Sequence, residues 1–541
     1  MTAVHIDLIW ITTAFIMGFG VRQAGLPPLI GFLGAGFLLK ALGLTEGTLA
    51  LERIGDIGVM VMLFSIGLKL HIKDLLKPEI WASTGIHTLL TVLAFGTGIY
   101  ILSIAGLSVF ASLTLAQSAL IAFALSFSST VFAVKILEEK GDMSARYGQI
   151  AIGVLVFQDI LAVIFLTVSK GQFPSLWALG IPLFLFLIRP VIIFFMERTG
   201  RGELFSLFGL FVTFGCGAMS FELVGLKPDL GALVIGAMIA NHPRASKLSK
   251  SLMNFKDLFL IGFFFNIGMT GIPTLTSLLV AAGLAVLVIF KSGLFFYLFT
   301  RFRLRARTSL LSTLALSNYS EFGLIVASVG AYNGWITNEW LIILALALTI
   351  SFVLASPLNT AANSVYDRFA PKLKKFQATT RLPGELPAST GDTEIAIFGM
   401  GRVGTHVYDV ARVNFCNKTV AAMDHDKEVV SKHRREGRNV FWGDAADKDL
   451  WDQLAERKDK TVRLVVLAMP NHMANMTALK ELNSINFSGK VIAMAKYDDE
   501  VEKLKEAGAT LVFNLYSEVA AVFAEHVCKN YRKETPLSKG E

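Results

Sequence analysis

The sequence GVLVFQDILAVIF, residues 153–165, places one carboxylate, Asp159, at the centre of an apolar run that is long enough to cross a lipid bilayer. An ionisable group in such a run is costly, so it indicates a function that needs a charge inside the membrane. Most of the chain is similarly rich in apolar residues and poor in charged ones. Of its 541 residues 53% are hydrophobic and 17% are charged, against about 25% charged residues in soluble proteins. Most of its surface must therefore face lipid.

Residues 6–364 consist of thirteen apolar runs, each long enough for a transmembrane helix. The loops between them differ in charge, because the odd-numbered loops carry 17 lysines and arginines and the even-numbered loops carry four. Positive loops stay in the cytoplasm, so the N-terminus is predicted to lie outside and the C-terminal tail inside. The net charge of +8 is scattered, which does not favour a nucleic-acid partner, and the three cysteines form no CxxC metal motif.

The composition changes after residue 366. We predict a transmembrane domain over residues 1–366, a linker over 367–391 and a soluble domain over 392–541. In the soluble domain short β-rich runs, from EIAIFGMG (394–401) to ATLVFN (509–514), alternate with amphipathic stretches. That alternation is typical of a parallel sheet with helices on both faces, a Rossmann-like α/β fold.

The transmembrane domain holds few ionisable or strongly polar side chains, and these are the candidates for an ion or proton site. They are Asp159 with its neighbour Gln158, Lys291, Glu321, and the hydroxyl cluster Ser128, Ser129 and Thr130. A buried carboxylate holds a proton or a monovalent cation but not comfortably both, and this competition suffices for exchange of the two. Structural roles stay open for the same residues: a hydrogen bond of Asp159 to a neighbouring helix, a pairing of Lys291 with Asp159 or Glu321, and hydroxyls bonded to their own helix.

Two spans carry polar interruptions, SFSSTVF (126–132) in the fifth and SNYSEFG (317–323) in the twelfth. Discontinuous helices at corresponding positions of two halves are typical of inverted-repeat secondary transporters, whose site lies near the middle of the membrane. The sequence therefore predicts inverted repeats with broken crossing helices, whose ends surround Asp159.

In the soluble domain, the glycine-rich sequence GMGRVG follows a predicted strand and opens a helix, which is the context of a nucleotide-binding fingerprint. Its residues are Gly399, Met400, Gly401, Arg402, Val403 and Gly404, and Asp424 ends the next strand, 20 residues after Gly404. The glycines admit phosphate to the helix N-terminus, and Asp424 is expected to bind ribose hydroxyls. Arg402 is a candidate phosphate or carboxylate contact, and Asp444 a candidate adenine or switch contact. An empty domain used for dimerisation is the alternative.

These residues match a known family over nearly the whole chain. The matching segments are SSTVFAVKILEEKG (128–141), FQD (157–159), GFFFNIGM (262–269), Lys291, SEFG (320–323), FGMGRVG (398–404), MDHD (423–426) and WGDAAD (442–447). The chain resembles the Kef-type monovalent cation:proton antiporters with an RCK (TrkA-N) domain. The resemblance implies an α-helical membrane protein with the Na⁺/H⁺-antiporter-like fold, a homodimer in the bacterial inner membrane, and K⁺ efflux in exchange for H⁺.

Residue by residue, Asp159 matches the family's ion- and proton-carrying aspartate, and Lys291 matches its lysine. Gln158 stands where electrogenic relatives have a second aspartate, which implies electroneutral exchange. The glycine-rich sequence and Asp424 match a regulatory site for AMP, ATP or NAD(H). Glutathione-gated members carry an acidic loop where this chain has the basic RASKLSKSLMNFKD (244–257), although Arg402 is kept. Glutathione and a quinone-reductase-like subunit therefore stay open as partners.

Three other functions are alternatives to K⁺/H⁺ exchange. A Na⁺ or Li⁺ antiporter of the same fold stays open. An RCK-gated K⁺ channel predicts a TVGYG-like filter, and the sequence contains none. A membrane-bound NAD-dependent oxidoreductase needs a catalytic acid and base, and we find no such arrangement of residues, so we predict no enzymatic activity and no catalytic metal.

Overall fold

The computed structural model describes residues 3–23, 28–44, 48–68, 76–111, 113–140, 142–143, 145–169, 180–200, 202–226, 228–269, 271–380, 382, 393–415, 420–445, 450–451 and 462–534. The chain divides into two compact units, and each is described by itself. The first unit comprises Met1–Val134 and Ile150–Ala378, and the second comprises Lys135–Gln149 and Thr379–Glu541.

The described residues of the first unit are mainly helical. The helices are α1 Ala3–Gln23, α2 Pro28–Ala41, α3 Thr48–Leu68, α4 Pro78–Ile104, α5 Leu115–Ser126, α6 Thr130–Lys140, α7 Arg146–Ser169, α8 Ile181–Arg198, α9 Glu203–Phe211, α10 Met219–Glu222, α11 Pro228–Ile239, α12 Ala245–Met269, α13 Leu275–Arg301, α14 Ala306–Ala315, α15 Glu321–Tyr332, α16 Asn338–Thr360 and α17 Ala362–Leu373. A π-helical turn, Val212–Ala218, joins α9 to α10, and 3₁₀ turns cover Ser108–Phe110 and Lys374–Phe376. The last residues of α6 and the first residues of α7 fall within Lys135–Gln149 and belong to the second unit.

Length and composition identify the helices that can span a membrane. Five helical stretches among the described residues are long and apolar enough: Pro78–Ile104, Arg146–Leu166, Glu203–Glu222, Leu275–Arg301 and Asn338–Thr360. Shorter apolar helices accompany them, such as Leu115–Ser126 and Glu321–Tyr332. The predicted count of thirteen spans stays a prediction.

Glycines bring helices that are far apart in the sequence of the first unit into backbone contact. A Cβ atom on Gly36 of α2 would lie 2.3 Å from the Phe265 carbonyl oxygen of α12. A Cβ atom on Gly67 of α3 would likewise lie 2.3 Å from the Leu233 carbonyl oxygen of α11. Only glycine fits such approaches, as in other tightly packed membrane helices.

Two helices are interrupted where the sequence predicts it. Between α5 and α6 the chain is extended at Phe127, with φ −75° and ψ 150°. Between α14 and α15 it leaves helical geometry until Ser320, whose side chain accepts a hydrogen bond from the amide of Phe322 and so caps α15. The predicted broken helices are confirmed.

The sheet of the second unit has six parallel strands in the order β3-β2-β1-β4-β5-β6. The strands are β1 Ile395–Phe398, β2 Val420–Asp424, β3 Val440–Trp442, β4 Leu464–Leu467, β5 Lys490–Ala495 and β6 Leu511–Asn514. The helices between and after them are α18 Arg402–Asn414, α19 Lys427–Arg435, α20 His472–Ser484, α21 Asp498–Glu506 and α22 Leu515–Glu534. This strand order is that of the Rossmann fold and confirms the predicted α/β domain.

The predicted linker, residues 367–391, begins inside a helix. α17 continues to Leu373 because one of its faces is packed, with Ala362 and Tyr366 buried and the Asn363 side chain accepting a hydrogen bond from Arg307 Nη2 at 3.3 Å. Residues 381 and 383–391 of the predicted linker lie outside the described part of the chain.

Candidate functional site

The two helix breaks contact each other directly. A broken helix leaves backbone groups that need partners inside a membrane, and the two breaks supply partners to one another. Ser128 Oγ donates to the carbonyl oxygen of Leu316 at 2.9 Å, and the amide of Ser129 donates to Asn318 Oδ1 at 2.7 Å. The predicted hydroxyl cluster is thereby tied to the second break, and Asn318 is a site residue that the sequence analysis did not single out.

The side chain of Gln158, on α7, forms hydrogen bonds to the backbone of the first break. Its side-chain oxygen accepts from the amide of Ser128 at 2.9 Å, and its Nε2 donates to the carbonyl oxygen of Ser126 at 3.1 Å. Gln158 is fully buried. The carboxamide thus replaces, with one acceptor and one donor, the hydrogen bonds that the interrupted helix lacks.

Asp159 lies beside the same break and is 1% exposed. Thr130 Oγ1, at the start of α6, donates to its carboxylate at 3.2 Å. Glu321, the first residue of α15, is 0% exposed. The structure therefore brings together Asp159 and Thr130 beside the first break and places the buried Glu321 at the start of the helix that follows the second break.

Lys291 of α13 forms hydrogen bonds to both breaks. Its Nζ donates to the carbonyl oxygen of Phe127 in the first break and to that of Asn318 in the second, the latter at 2.8 Å. It also lies 5.2 Å from the centre of the Tyr319 ring, and the side chain is fully buried. One ammonium group thus binds both interruptions.

A second buried nitrogen base was missed by the sequence analysis. The ring of His87, on α4, stacks on Phe295 with centroids 3.4 Å apart, and its Nε2 lies 3.2 Å from the carbonyl oxygen of Lys291. Because a carbonyl only accepts, Nε2 carries the hydrogen and His87 supports the backbone of α13 beside Lys291. The signal that could have revealed it is an ionisable side chain inside the apolar run of α4.

In the second unit, the glycine-rich turn after β1 has the geometry of a phosphate loop. Gly399 has φ +92°, and a Cβ atom on it would lie 2.9 Å from the Ala468 carbonyl oxygen. A Cβ atom on Gly404 would lie 1.8 Å from the Gly399 carbonyl oxygen, so α18 packs closely against the turn. A Cβ atom on Gly401 would meet nothing within 4 Å. The open side of the turn at Gly401, with Arg402 and Val403 beginning α18, is where a phosphate can approach.

Asp424 lies next to this turn, at the carboxyl end of β2, and is 8% exposed. Its Oδ2 accepts from the amide of Met400 at 2.6 Å and its Oδ1 from the amide of Asp426 at 2.8 Å. Each oxygen keeps a further lone pair for a ribose hydroxyl. Asp444 follows β3 at the same edge of the sheet, one residue after Gly443, whose amide donates to the Asp424 carbonyl oxygen at 3.0 Å.

A network behind the turn holds Met400, and the sequence analysis missed its members because they come from separate elements. The Met400 carbonyl oxygen accepts from Thr405 Oγ1 and from His433 Nε2, both at 3.1 Å. Arg438 Nη1 donates to His433 Nδ1 at 3.0 Å, so the ring hydrogen must be on Nε2. Arg438 also binds both carboxylate oxygens of Asp409, at 2.8 and 2.9 Å, and these hydrogen bonds lower the pKa of Asp409.

Comparison with known proteins gives two family matches. The family described as sodium/hydrogen exchanger, transmembrane, matches residues 11–360, and the TrkA-N domain matches residues 395–515. A putative cation/proton antiporter, YbaL, of Escherichia coli (strain K12) is 25% identical over 546 residues, covering 95% of each chain. The glutathione-regulated potassium-efflux system protein KefC of Salmonella schwarzengrund (strain CVM19633) is 27% identical over 529 residues, covering 92% of this chain and 80% of that protein.

Among solved structures, the sodium proton antiporter MjNhaP1 of Methanocaldococcus jannaschii is similar over 66% of this chain and 97% of its own, with 13% identity and a TM-score of 0.48. The family matches confirm the predicted resemblance to cation:proton antiporters with a TrkA-N domain. Because the exchanger family matches more than half of the chain, this protein belongs to the sodium/hydrogen exchanger family and carries a TrkA-N domain after its transmembrane part.

Proposed function

We propose that the protein exchanges K⁺ for H⁺ across the bacterial inner membrane, as a homodimer with its N-terminus outside and its TrkA-N domain in the cytoplasm. The observation that carries the proposal is the pair of buried carboxyl groups, Asp159 and Glu321, placed at two helix breaks that contact each other. The loop charges support the orientation, and the names of the relatives support antiport.

The charges of the site support electroneutral exchange. When Asp159, Glu321 and Lys291 are all ionised, two negative charges stand against one positive charge, and all three side chains are nearly or fully buried. One negative charge then remains, and either one proton or one monovalent cation neutralises it. Because a buried net charge is expensive, the site favours one of the two ligands at a time. Gln158 adds no charge to this balance.

The ion is proposed from the relatives and not from the geometry. KefC proteins are named for potassium efflux, whereas the family as a whole is named for sodium. Thr130 Oγ1, the Asp159 carboxylate and the carbonyl groups of the breaks are hard oxygen ligands, which suit K⁺, Na⁺ and Li⁺ alike. We place K⁺ first and keep Na⁺ or Li⁺ as the alternative.

We further propose that an adenine nucleotide, AMP, ATP or NAD(H), binds at Gly399–Gly404 with Asp424 at its ribose and regulates exchange. Within the second unit the guanidinium of Arg146 lies 5.9 Å from the centre of the Trp442 ring, at the same sheet edge as Asp424. Arg146 is also the first residue of α7, the helix that holds Asp159. Because α7 carries both Arg146 and Asp159, it supports a route by which nucleotide binding changes the position of the ion-site aspartate.

Transport is tested in proteoliposomes that contain a pH-sensitive dye, with K⁺, Na⁺ or Li⁺ added outside. Asp159→Asn is the test variant, and Glu222→Gln, an exposed carboxylate at the end of α10, is the matched control. We expect the wild type and the control to move protons when K⁺ is added and Asp159→Asn to lose this exchange. Full exchange by Asp159→Asn would overturn the proposed site, and K⁺ flux without proton movement would support a channel.

Regulation is tested with Gly401→Asp, which adds a negative charge where phosphate is expected. The fold should persist because a Cβ atom there meets nothing within 4 Å. Val413→Asp, at a position of α18 that is 85% exposed, adds the same charge away from the turn. Nucleotide should alter exchange by the wild type and by Val413→Asp but not by Gly401→Asp. A nucleotide response that survives in Gly401→Asp would contradict the proposed coupling.

A further inference from the structure

A large pocket opens at the ends of three helices of the first unit, well apart in sequence from Asp159 and Lys291. It has a volume of about 990 Å³ and lies where α8 connects to α9 and where α12 begins. Its walls come from Gly200 and from residues within 202–210 and 244–255. The loop charges assign this end of the helices to the cytoplasm, so its position at the membrane surface rests on the proposed topology.

One wall of the pocket is strongly basic. Arg244 immediately precedes α12, and Lys247 and Lys250 follow at intervals of three residues in its first two turns, which places the three side chains near one side of the helix start. Arg244 is fixed, because its Nη1 donates to the Met196 carbonyl oxygen at 2.7 Å, whereas Lys247 and Lys250 are exposed. Among the lining residues that the structure describes, Glu203 is the one carboxylate. The pocket therefore has an excess of positive charge.

The rest of the pocket lining is largely apolar. Its apolar residues are Phe205, Leu207 and Leu210 of α9 and Phe255 of α12. Leu207 is 61% exposed and Phe255 is 36% exposed, so the apolar surface continues from the pocket to the outside of the unit. A small hydrophilic anion would leave these apolar residues without a partner, whereas a molecule with an anionic head and a hydrocarbon chain would cover both the basic and the apolar residues.

We propose that the pocket binds an anionic phospholipid of the cytoplasmic leaflet. Its phosphate lies against Arg244, Lys247 and Lys250, and the first part of an acyl chain lies along Leu207 and Phe255. Basic pockets between transmembrane helices on the cytoplasmic side are suited to such headgroups. The proposal gives the basic segment 244–257 a ligand of its own, separate from the ion site and from the nucleotide site.

The test compares lipids and variants with the full chain in neutral detergent. Binding of phosphatidylglycerol, cardiolipin, phosphatidylcholine and water-soluble glycerophosphoglycerol is measured by native mass spectrometry. The test variant is Lys247→Gln/Lys250→Gln, and the matched control is Lys372→Gln/Lys375→Gln, two exposed lysines near the end of α17. We expect the anionic lipids to bind the wild type and the control, and to bind the test variant about thirty-fold more weakly.

Each other result would overturn the proposal. If phosphatidylcholine binds as tightly as the anionic lipids, the headgroup charge plays no role. If the test variant binds the anionic lipids as tightly as the wild type, the two lysines play no role. If glycerophosphoglycerol binds as tightly as phosphatidylglycerol, the pocket is a site for a soluble anion. A photoreactive phosphatidylglycerol tests the wild type without any substitution, and its label should fall in residues 203–210 and 247–255. Asp159→Asn should keep this lipid binding, so a failure of the transport proposal is distinguishable from a failure here.

Discussion

Replacing Gly323 by alanine tests whether ion exchange needs the close crossing of the two broken helices. Gly323 lies in the first turn of α15, and a Cβ atom on it would lie 2.2 Å from the carbonyl oxygen of Ala124 in α5. Cβ atoms rarely come within 3.0 Å of another heavy atom, so the helices would have to separate by about 0.8 Å. Backbone lies on both sides of the contact, so no side chain can turn away to relieve it.

The same separation would reach the hydrogen bonds between the breaks. The 2.7 Å bond from the Ser129 amide to Asn318 Oδ1 would lengthen to roughly 3.5 Å, which is no longer a hydrogen bond. Overpacking of this kind costs about 1–3 kcal/mol, against a gain of up to about 1 kcal/mol from the higher helix propensity of alanine. We therefore expect a less stable protein whose ion site is also distorted.

Gly330→Ala is the matched control because it lies in the same helix. Its Cβ atom would meet the end of the Leu120 side chain at 2.8 Å, and that side chain can change rotamer. In detergent, Gly323→Ala should lower the Tm by several degrees and slow K⁺-driven proton movement in proteoliposomes, while Gly330→Ala should change both little. If Gly323→Ala matches the wild type in both measurements, the two breaks do not need to cross closely and our reasoning fails.

Three further substitutions have defined expectations. Gln158→Asp should reduce stability and slow exchange rather than simply add a second ion-binding group, since a carboxylate cannot donate to the Ser126 carbonyl oxygen as Gln158 Nε2 does; a stable variant with electrogenic exchange would contradict this. Lys291→Met should lower the free energy of unfolding by about 2–5 kcal/mol by leaving two buried carbonyl groups unpaired, and an unchanged Tm would show that other groups replace the ammonium. The hydrogen bonds of Arg438 lower the pKa of Asp409, so their stabilising contribution is present above the ordinary carboxyl pKa of about 3.9 and is lost as pH falls through the lowered pKa. Asp409→Asn should therefore increase hydrogen–deuterium exchange of α18, corrected for intrinsic rates, at pH 7, and this increase should diminish as the pH is lowered below the ordinary carboxyl pKa. An increase that does not change with pH would refute the assignment.

The sequence was informative wherever a local pattern carries the physical constraint. A run of polar residues inside an apolar span cannot remain an ordinary helix without cost, so the breaks at 126–132 and 317–323 were predictable. Ionisable side chains are rare and costly inside a membrane, which is why Asp159, Lys291 and Glu321 could be singled out as candidates for an ion site. Alternation of β-rich and amphipathic runs predicted the parallel sheet of the second unit, and its strand order confirms it.

The rest depended on contacts between distant parts of the chain. Ser129 and Asn318 are 189 residues apart, and Lys291 is 164 residues from Phe127, so no periodicity or spacing relates them. A pairing of Lys291 with a carboxylate was one of the roles left open by the sequence, whereas its hydrogen bonds to main-chain oxygens follow from the conformation of the breaks. The role of His433 could not be predicted either, because its hydrogen bond to the Met400 carbonyl oxygen depends on the conformation of the turn after β1.

The links between the two breaks also bear on how well the membrane is sealed. An uncoupled leak requires one break to rearrange while the other stays in place. Two direct hydrogen bonds and the shared Lys291 ammonium oppose that independent movement. At about 1 kcal/mol for each neutral bond and somewhat more for the ammonium, a singly rearranged state would be populated on the order of one part in a thousand. The contacts that form the site are thus also the contacts that oppose uncoupled ion flow.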